Sequence, residues 1–314
     1  MEQISRNIRT LNNQLIFKLS QIGFALNSDL CYTNRVNTCI YDQVEYVAQL
    51  KHGDKIFISS SETNVSLHEM VKIIESREIK IIFYIMQEPL ASLEMIQMLQ
   101  PVAIRIFVQN NIYDLPNVHI MPIGIRDCGT ITHLHNGFSH ATLLEEGTNA
   151  LTYKRSVNCL LCFSVGTYID YRRECYDLFK NKPFIYNLND DNDANSSSNF
   201  ENPFFCGAIK LNVVYRKTRE SRYALCPRGY GVDTHRFYEC IYLGCVPIVT
   251  RTNTVFDRLY AAFPCLIVDV WSDVTEELLD SSYTECWRRM CDFHMKYPRF
   301  LTDLESIEGL LRRL

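Results

Sequence analysis

The chain has no apolar run of the roughly 18–20 residues that a bilayer span requires. Its opening stretch, MEQISRNIRTLNNQLIF, contains no signal-peptide core. With the start at Met1, these two absences predict a soluble cytoplasmic protein. A large positive charge is missing too. The formal net charge of −4 argues against a nucleic-acid binder working through bulk charge, but not against local phosphate recognition. There is no HExxH and no supporting Cys/His frame, so His133, His135 and His140 with Glu145 and Glu146 form only a loose metal-ligand pattern. No D-x-D follows an expected strand. Asp191-Asn192-Asp193 has the letters but lies in the polar run Asn187 to Asn202, read as a surface loop. No internal repeat is visible.

A length of 314 residues suggests two domains of about 150 residues each. A composition of 47% hydrophobic and 22% charged residues is that of a globular chain. Thirteen cysteines, an odd number without a secretory leader, point to a reducing compartment. Cys159, Cys162, Cys226, Cys245 and Cys265 sit in apolar runs and read as small hydrophobes. Cys159 and Cys162 match C-x-x-C, but on a strand residues three apart face opposite ways, which is wrong for a metal or redox pair.

From Asp42 onward, short apolar runs alternate with amphipathic ones. Strands are expected at Lys55–Ser59, Ile79–Met86, Val102–Val108 and Val118–Ile123, with a helix ending near Gly53, one capped by Ser66 or Asn64 and running through Ile74, and one at Ala91–Leu99. Residues 1–41 are weakly periodic. A polar segment, 128–156, reads as a crossover. A second series follows: a strand at Val157–Phe163, a helix from Tyr171 to Phe179, a strand at Phe184–Tyr186 and a helix running to Arg219. Asn253–Ala262 is expected to be helical and Cys265–Val268 to be the last strand. Helices then follow at Thr275–Ser282, Thr284–Tyr297 and Leu301–Leu314. Alternation of this kind means a mostly parallel sheet covered on both faces. The expected domains are 1–150 and 151–300, with 301–314 as a closing helix.

The most informative stretch is Ser221 to Arg251, SRYALCPRGYGVDTHRFYECIYLGCVPIVTR. Tyr223 to Cys226 suits a buried strand. Pro227-Arg228-Gly229-Tyr230-Gly231 interrupts regular structure and lets backbone approach a ligand. Asp233 or Thr234 can cap a helix that Gly244 ends, and Cys245 to Val249 returns as a strand. In an open α/β domain such a loop lies at the carboxyl ends of the strands, where ligands bind. Helix-terminal amides suit phosphate, and Arg228 and Arg236 add cations. Glu239 lies three residues after Arg236, on the same helix face. A carboxylate beside a phosphate site needs another partner, and a ribose diol can donate two hydroxyls to it. The competing reading is an intrahelical Arg236–Glu239 ion pair worth a few tenths of a kcal/mol.

The string resembles the exostosin-like (family 47) glycosyltransferases, whose signature runs roughly F-C-L-C-P-x-G, then R-x-x-E-A, then G-C-V-P-V. Matching positions are Tyr223, Leu225, Cys226, Pro227, Gly229, Arg236, Glu239, Gly244, Cys245, Val246, Pro247 and Ile248, with Ala224 and Cys240 as small departures. The resemblance implies a GT-B architecture, two Rossmann-like domains with a cleft between them. It implies an inverting transferase that moves a sugar from a UDP-sugar, with UDP-xylose favoured, to a hydroxyl of a glycan or glycoprotein acceptor. Short soluble relatives of this type occur in large algal viruses. In this layout the nucleotide sugar is bound by Arg172 (or Arg173), Cys226, Pro227, Arg228, Gly229, Tyr230, Thr234, Arg236 and Glu239. No obligatory metal is expected, because arginines and helix amides would stabilise the leaving diphosphate. Inversion needs a base from the first domain, with Glu88 the first choice, then Glu62, then Asp127. The alternatives are a UDP-sugar epimerase or phosphorylase, and a non-catalytic nucleotide-sugar-binding module.

Overall fold

The computed structural model describes Phe24 and residues 27–33, 44–59, 65–86, 92–125, 143–190, 211–298, 300 and 309. The chain divides into two compact units. The first comprises residues 1–134, 254–259 and 300–314, and the second residues 135–253 and 260–299.

The first unit is built on five parallel strands in sequence order: β1 (Leu30–Thr33), β2 (Lys55–Ser59), β3 (Ile81–Ile85), β4 (Ala103–Gln109) and β5 (Val118–Met121). Helices α1 (Val44–Val47), α2 (Val65–Ser76) and α3 (Leu93–Leu99) link them. Ile56, Ile58, Phe83, Ile85, Ile106 and Val108 are wholly buried. They pack with Leu67, Met70 and Ile74 of α2 and with Met95, Ile96 and Leu99 of α3. Those helix residues recur at intervals of three and four or fall in adjacent turns, so each helix turns one stripe to the sheet. Each such side chain contributes about 1.5–3 kcal/mol through burial. β1 lies in the weakly periodic lead-in and was not anticipated. Four residues, LCYT, are too short for a period to register. Tertiary pairing defines the strand instead, with Leu30 opposite Ile56 and Thr33 opposite Ser59.

The second unit holds β6 (Val157–Leu161), β7 (Ile185–Asn187), β8 (Ser221–Leu225), β9 (Val246–Thr250) and β10 (Leu266–Val268). All pair in parallel, in the order β10-β9-β8-β6-β7. Its helices are α4 (Ile169–Phe179), α5 (Leu211–Arg219), α6 (His235–Tyr242), α7 (Thr254–Ala261, whose first six residues belong to the first unit) and α8 (Glu276–Lys296). The chain leaves β6 towards β7 on one side, then returns to place β8 on the other. The strand order therefore reverses between β6 and β8, and in such sheets ligands bind where the loops diverge at the carboxyl ends. The described strands of the first unit show no such reversal.

Where two helices were expected near the C-terminus, α8 is one continuous helix of 21 residues. Ser281, Ser282 and Thr284 favour a break when read locally. The tertiary setting overrides them. Ser281 and Ser282 hydroxyls donate back to the Leu278 carbonyl, at 3.1 and 2.7 Å. The Tyr223 hydroxyl reaches in from β8 to the Leu279 carbonyl at 3.0 Å. Leu279, Cys286, Met290 and Phe293 form the buried stripe.

The far end of α8 is tied to α6 by His294, whose Nε2–H donates to the Ile241 carbonyl at 2.9 Å. Burial lowers the imidazole pKa, and nearby Arg155 adds to this, against the opposing pull of the hydrogen bond. The unfolded chain takes up this proton near pH 6.5 while the folded chain resists it. Stability is therefore present above pH 6.5 and lost as pH falls below it. His294→Gln should be less stable than the parent at pH 7.5, with a gap in urea midpoint that narrows steadily between pH 6.5 and 5. A gap independent of pH would show that the ring takes up its proton alike in the folded and unfolded chains.

Candidate functional site

The loops after β6 and β8 meet at the strand-order reversal. β8 continues one residue past its end, the Cys226 amide donating to the Ile248 carbonyl at 2.9 Å. Pro227 has no amide hydrogen and stops the ladder. The chain then turns tightly, with the Gly229 amide on the Gly231 carbonyl at 3.0 Å. Thr234 takes the N-cap position of α6 with an extended backbone, but its side chain makes no capping hydrogen bond. Asp233 is 2% exposed. It accepts from the Thr234 amide at 3.0 Å and from the Tyr238 hydroxyl at 2.6 Å. The helix start thus carries its own buried anion. Positive charge for a phosphate ligand must therefore come from side chains rather than from the helix dipole alone.

Arg236 lies in the first turn of α6 and spans three elements. Its Nη1 reaches Thr218 Oγ1 of α5 at 3.3 Å, and its Nη2 reaches the carbonyl and Sγ of Cys162, just past β6, at 3.2 and 3.3 Å. Glu239 Oε2 stands 3.6 Å from Nη1. The intrahelical ion pair of the competing reading is therefore formed, and neither partner points into bulk water: the side chains are 19% and 12% exposed. Burial works against the guanidinium charge, but Cys162, Glu239, Cys240 and Cys226 outweigh it and raise its pKa.

Glu239 is poorly served for a buried carboxylate. Its pairing distance exceeds the 2.7–2.9 Å usual for a charge-assisted bond. The Tyr215 hydroxyl approaches Oε1 at 3.5 Å, the outer limit of a hydrogen bond. Buried acceptors ordinarily find close donors, so this one has capacity for a hydroxyl ligand.

The other expected contacts divide by role. Arg172, on α4, donates Nε to the Arg228 carbonyl at 2.9 Å, Nη1 to the Ser164 carbonyl at 2.9 Å and Nη2 to the Pro227 carbonyl at 3.4 Å. Its guanidinium clamps the two loops together. It also fills the space beside Gly229, where an added Cβ would lie 3.2 Å from Nη2. Arg173 is exposed on the same helix. Cys226 is buried and faces Cys240, Sγ to Sγ 3.8 Å. It belongs to the packing beneath the loop, and burial, then Cys240, push its thiol up. Cys240 is the exception: burial raises its thiol, but Cys226, Cys245 and Arg236 outweigh it and hold the thiol low. The nine cysteines whose side chains are described, Cys159 and Cys162 among them, form no disulfide bond.

Arg228 lies over the rings of Tyr171 and Tyr168, at 4.7 and 5.5 Å from their centroids. Its buried Nε has no hydrogen-bond partner. Tyr230 is 63% exposed. Thr218, Tyr215, Tyr168 and Tyr171 join the site unannounced. Thr218 and Tyr215 are brought in by the packing of α5 on α6, and no motif in the sequence marks them. Tyr168 and Tyr171 are spaced three apart at a helix start, a pattern that is visible but common.

Glu62, Glu88 and Asp127 lie outside the described residues, as do His133, His135, His140 and Asp191 to Asp193. Glu146 pairs with Arg219 at 3.0 Å. Among the described residues no helix is long and apolar enough to cross a membrane, and no group of three or more His, Cys, Asp or Glu is placed to hold a metal ion. No family model matches the chain, and no curated protein matches it.

Proposed function

We propose that the second unit binds a nucleoside diphosphate sugar and that the protein is an inverting glycosyltransferase using a UDP-sugar donor. The observation that carries this reading is placement. Arg236 and Glu239, one helical turn apart, sit at the carboxyl ends of β6 and β8, where the strand order reverses. Glu239 takes the ribose hydroxyls. Arg236 and Arg228 take the diphosphate, and their charges stabilise it as it leaves. The two Rossmann-like units are read as the two halves of a GT-B enzyme, with UDP-xylose the favoured donor and a glycan hydroxyl the acceptor. The base is assigned to Glu88, just past β3 in sequence, ahead of Glu62 and Asp127.

A second reading has its own support. Arg236 already bonds Thr218 and Cys162, so the pair can serve as a brace between α5, α6 and β6 without any ligand.

Thermal unfolding with UDP-xylose, UDP-galactose and UDP-glucuronate, followed by UDP release with and without a glycan, separates the readings. A ligand at 100 times its dissociation constant adds about 2.7 kcal/mol of stability, a rise of several degrees for a domain of this size. Stabilisation with acceptor-dependent UDP release is the expected result. Stabilisation without turnover identifies a binding module. Acceptor-independent consumption of the donor identifies an epimerase or phosphorylase. No stabilisation by any UDP-sugar leaves only the brace.

A further inference from the structure

Beside the glycine-bearing turn, three tyrosines form a stepped shelf. Tyr168 stacks on Tyr171, with centroids 4.9 Å apart and planes inclined at 20°. Tyr230 tilts onto Tyr168 at 5.5 Å and 38°. Arg228 lies against the inner two rings. The outer ring is largely free: Tyr230 is 63% exposed, and Tyr171 and Ile169 are 46% and 49% exposed. The Arg172 clamp holds the underlying loops, so the shelf is fixed in place.

Its place along a bound donor is inferred from the order of these residues along the chain. Glu239 lies one turn into α6, and Arg236 lies in the first turn. Tyr230 precedes the helix. If Glu239 holds the ribose and Arg236 and Arg228 the diphosphate, the order along the ligand is ribose, diphosphate, shelf. The base extends from the ribose in the other direction. What lies beyond the diphosphate is a sugar ring. A pyranose presents a face of C–H groups that packs on an aromatic ring, while its hydroxyls remain at the rim for polar partners.

We infer that Tyr230, supported by Tyr168 and Tyr171, is a stacking platform for a pyranose ring on the far side of the diphosphate. The inference rests on the nucleotide-sugar reading of the site. Two sugars could occupy the platform, the one carried by the donor or the terminal one of the acceptor.

The experiment compares the parent protein with Tyr230→Ala and Tyr230→Phe, measuring dissociation constants for UDP and for UDP-xylose, UDP-galactose and UDP-glucuronate, and KM for a glycan acceptor. Because Tyr230 is exposed, its loss should not disturb folding. For Tyr230→Ala the expected result is unchanged affinity for UDP with about tenfold weaker binding of the UDP-sugar. A tenfold higher acceptor KM with unchanged donor binding supports the same platform and assigns it to the acceptor. Tyr230→Phe should behave as the parent, because the ring and not the hydroxyl makes the contact. Equal weakening of UDP and UDP-sugar would place the base or phosphate on the shelf and overturn the inference. So would no change in any of the three quantities. If the parent binds neither UDP nor UDP-sugars, the nucleotide reading itself fails, an outcome distinct from a parent that binds UDP and a Tyr230→Ala variant that matches it throughout.

Discussion

Arg236→Ala is expected to abolish measurable binding of UDP at concentrations where the parent is saturated. Truncating one member of a desolvated, hydrogen-bonded charge contact costs about 2–5 kcal/mol, a fall in affinity of roughly 30-fold to several thousand-fold. The variant will also lose stability. Thr218 Oγ1 and the Cys162 carbonyl lose a donor, and Glu239 loses its ion-pair partner among the described residues. Leaving buried groups unsatisfied costs about 1–3 kcal/mol. The two effects separate when the denaturant midpoint is measured with and without UDP. Loss of midpoint with an unchanged UDP-induced shift would mean that Arg236 is only a brace. Loss of the shift itself is the expected result. Arg236→Lys keeps the charge but not the planar fork that spans two acceptors, so it should recover stability better than affinity. Glu239→Gln complements the test. It should weaken UDP while leaving pyrophosphate binding intact, because its proposed partner is the ribose.

Gly244→Ala should be strongly destabilising. Gly244 follows the end of α6 with φ +69°, in the left-handed region that side chains avoid. There an Ala costs roughly 1 kcal/mol in backbone strain. Space is also lacking. A Cβ would lie 2.4 Å from Arg155 Nη2 and 3.2 Å from the Ala150 carbonyl oxygen. Arg155 has little freedom to yield. It donates Nε and Nη2 to the Gly244 carbonyl at 3.1 and 2.7 Å and Nη2 to the Ala150 carbonyl at 2.8 Å. It also lies over the Trp287 ring at 4.1 Å. Displacing it leaves carbonyls without their donor, about another 1–3 kcal/mol. A loss of about 2–4 kcal/mol in urea unfolding is therefore expected. Gly244→Asn decides the cause. Asn tolerates the left-handed conformation but still meets Arg155, so it should be nearly as damaging as Ala. Recovery of most of the stability by Asn would mean that strain alone matters, and a change under about 0.5 kcal/mol in either variant would refute the crowding.

Much of the fold was legible because parallel strands are buried on both faces and appear as short apolar runs. Lys55–Ser59 coincides with the strand that the sequence predicts, and β3 to β10 each lie within two residues of their predicted ends. Elements defined by pairing alone escaped. β1 is a strand only because β2 lies beside it, and the serines of α8 stay helical only because Tyr223 and Leu278 engage that turn.

The site divides the same way. Spacing alone put Arg236 and Glu239 on one face of a helix bounded by Gly229, Gly231 and Gly244, since three residues make nearly one helical turn. Long-range packing decided what each side chain touches. It set Arg172 as a clamp between the two loops and Cys226 beneath them, drew Thr218 and Tyr215 to the pair, and built the tyrosine shelf from residues 168, 171 and 230. It also reversed the strand order between β6 and β8, the feature on which the proposed binding edge rests. Local sequence determines periodicity and turns because those arise between neighbours along the chain. Contacts between distant segments depend on which sheet edge each segment joins, and that choice is made by the whole core at once.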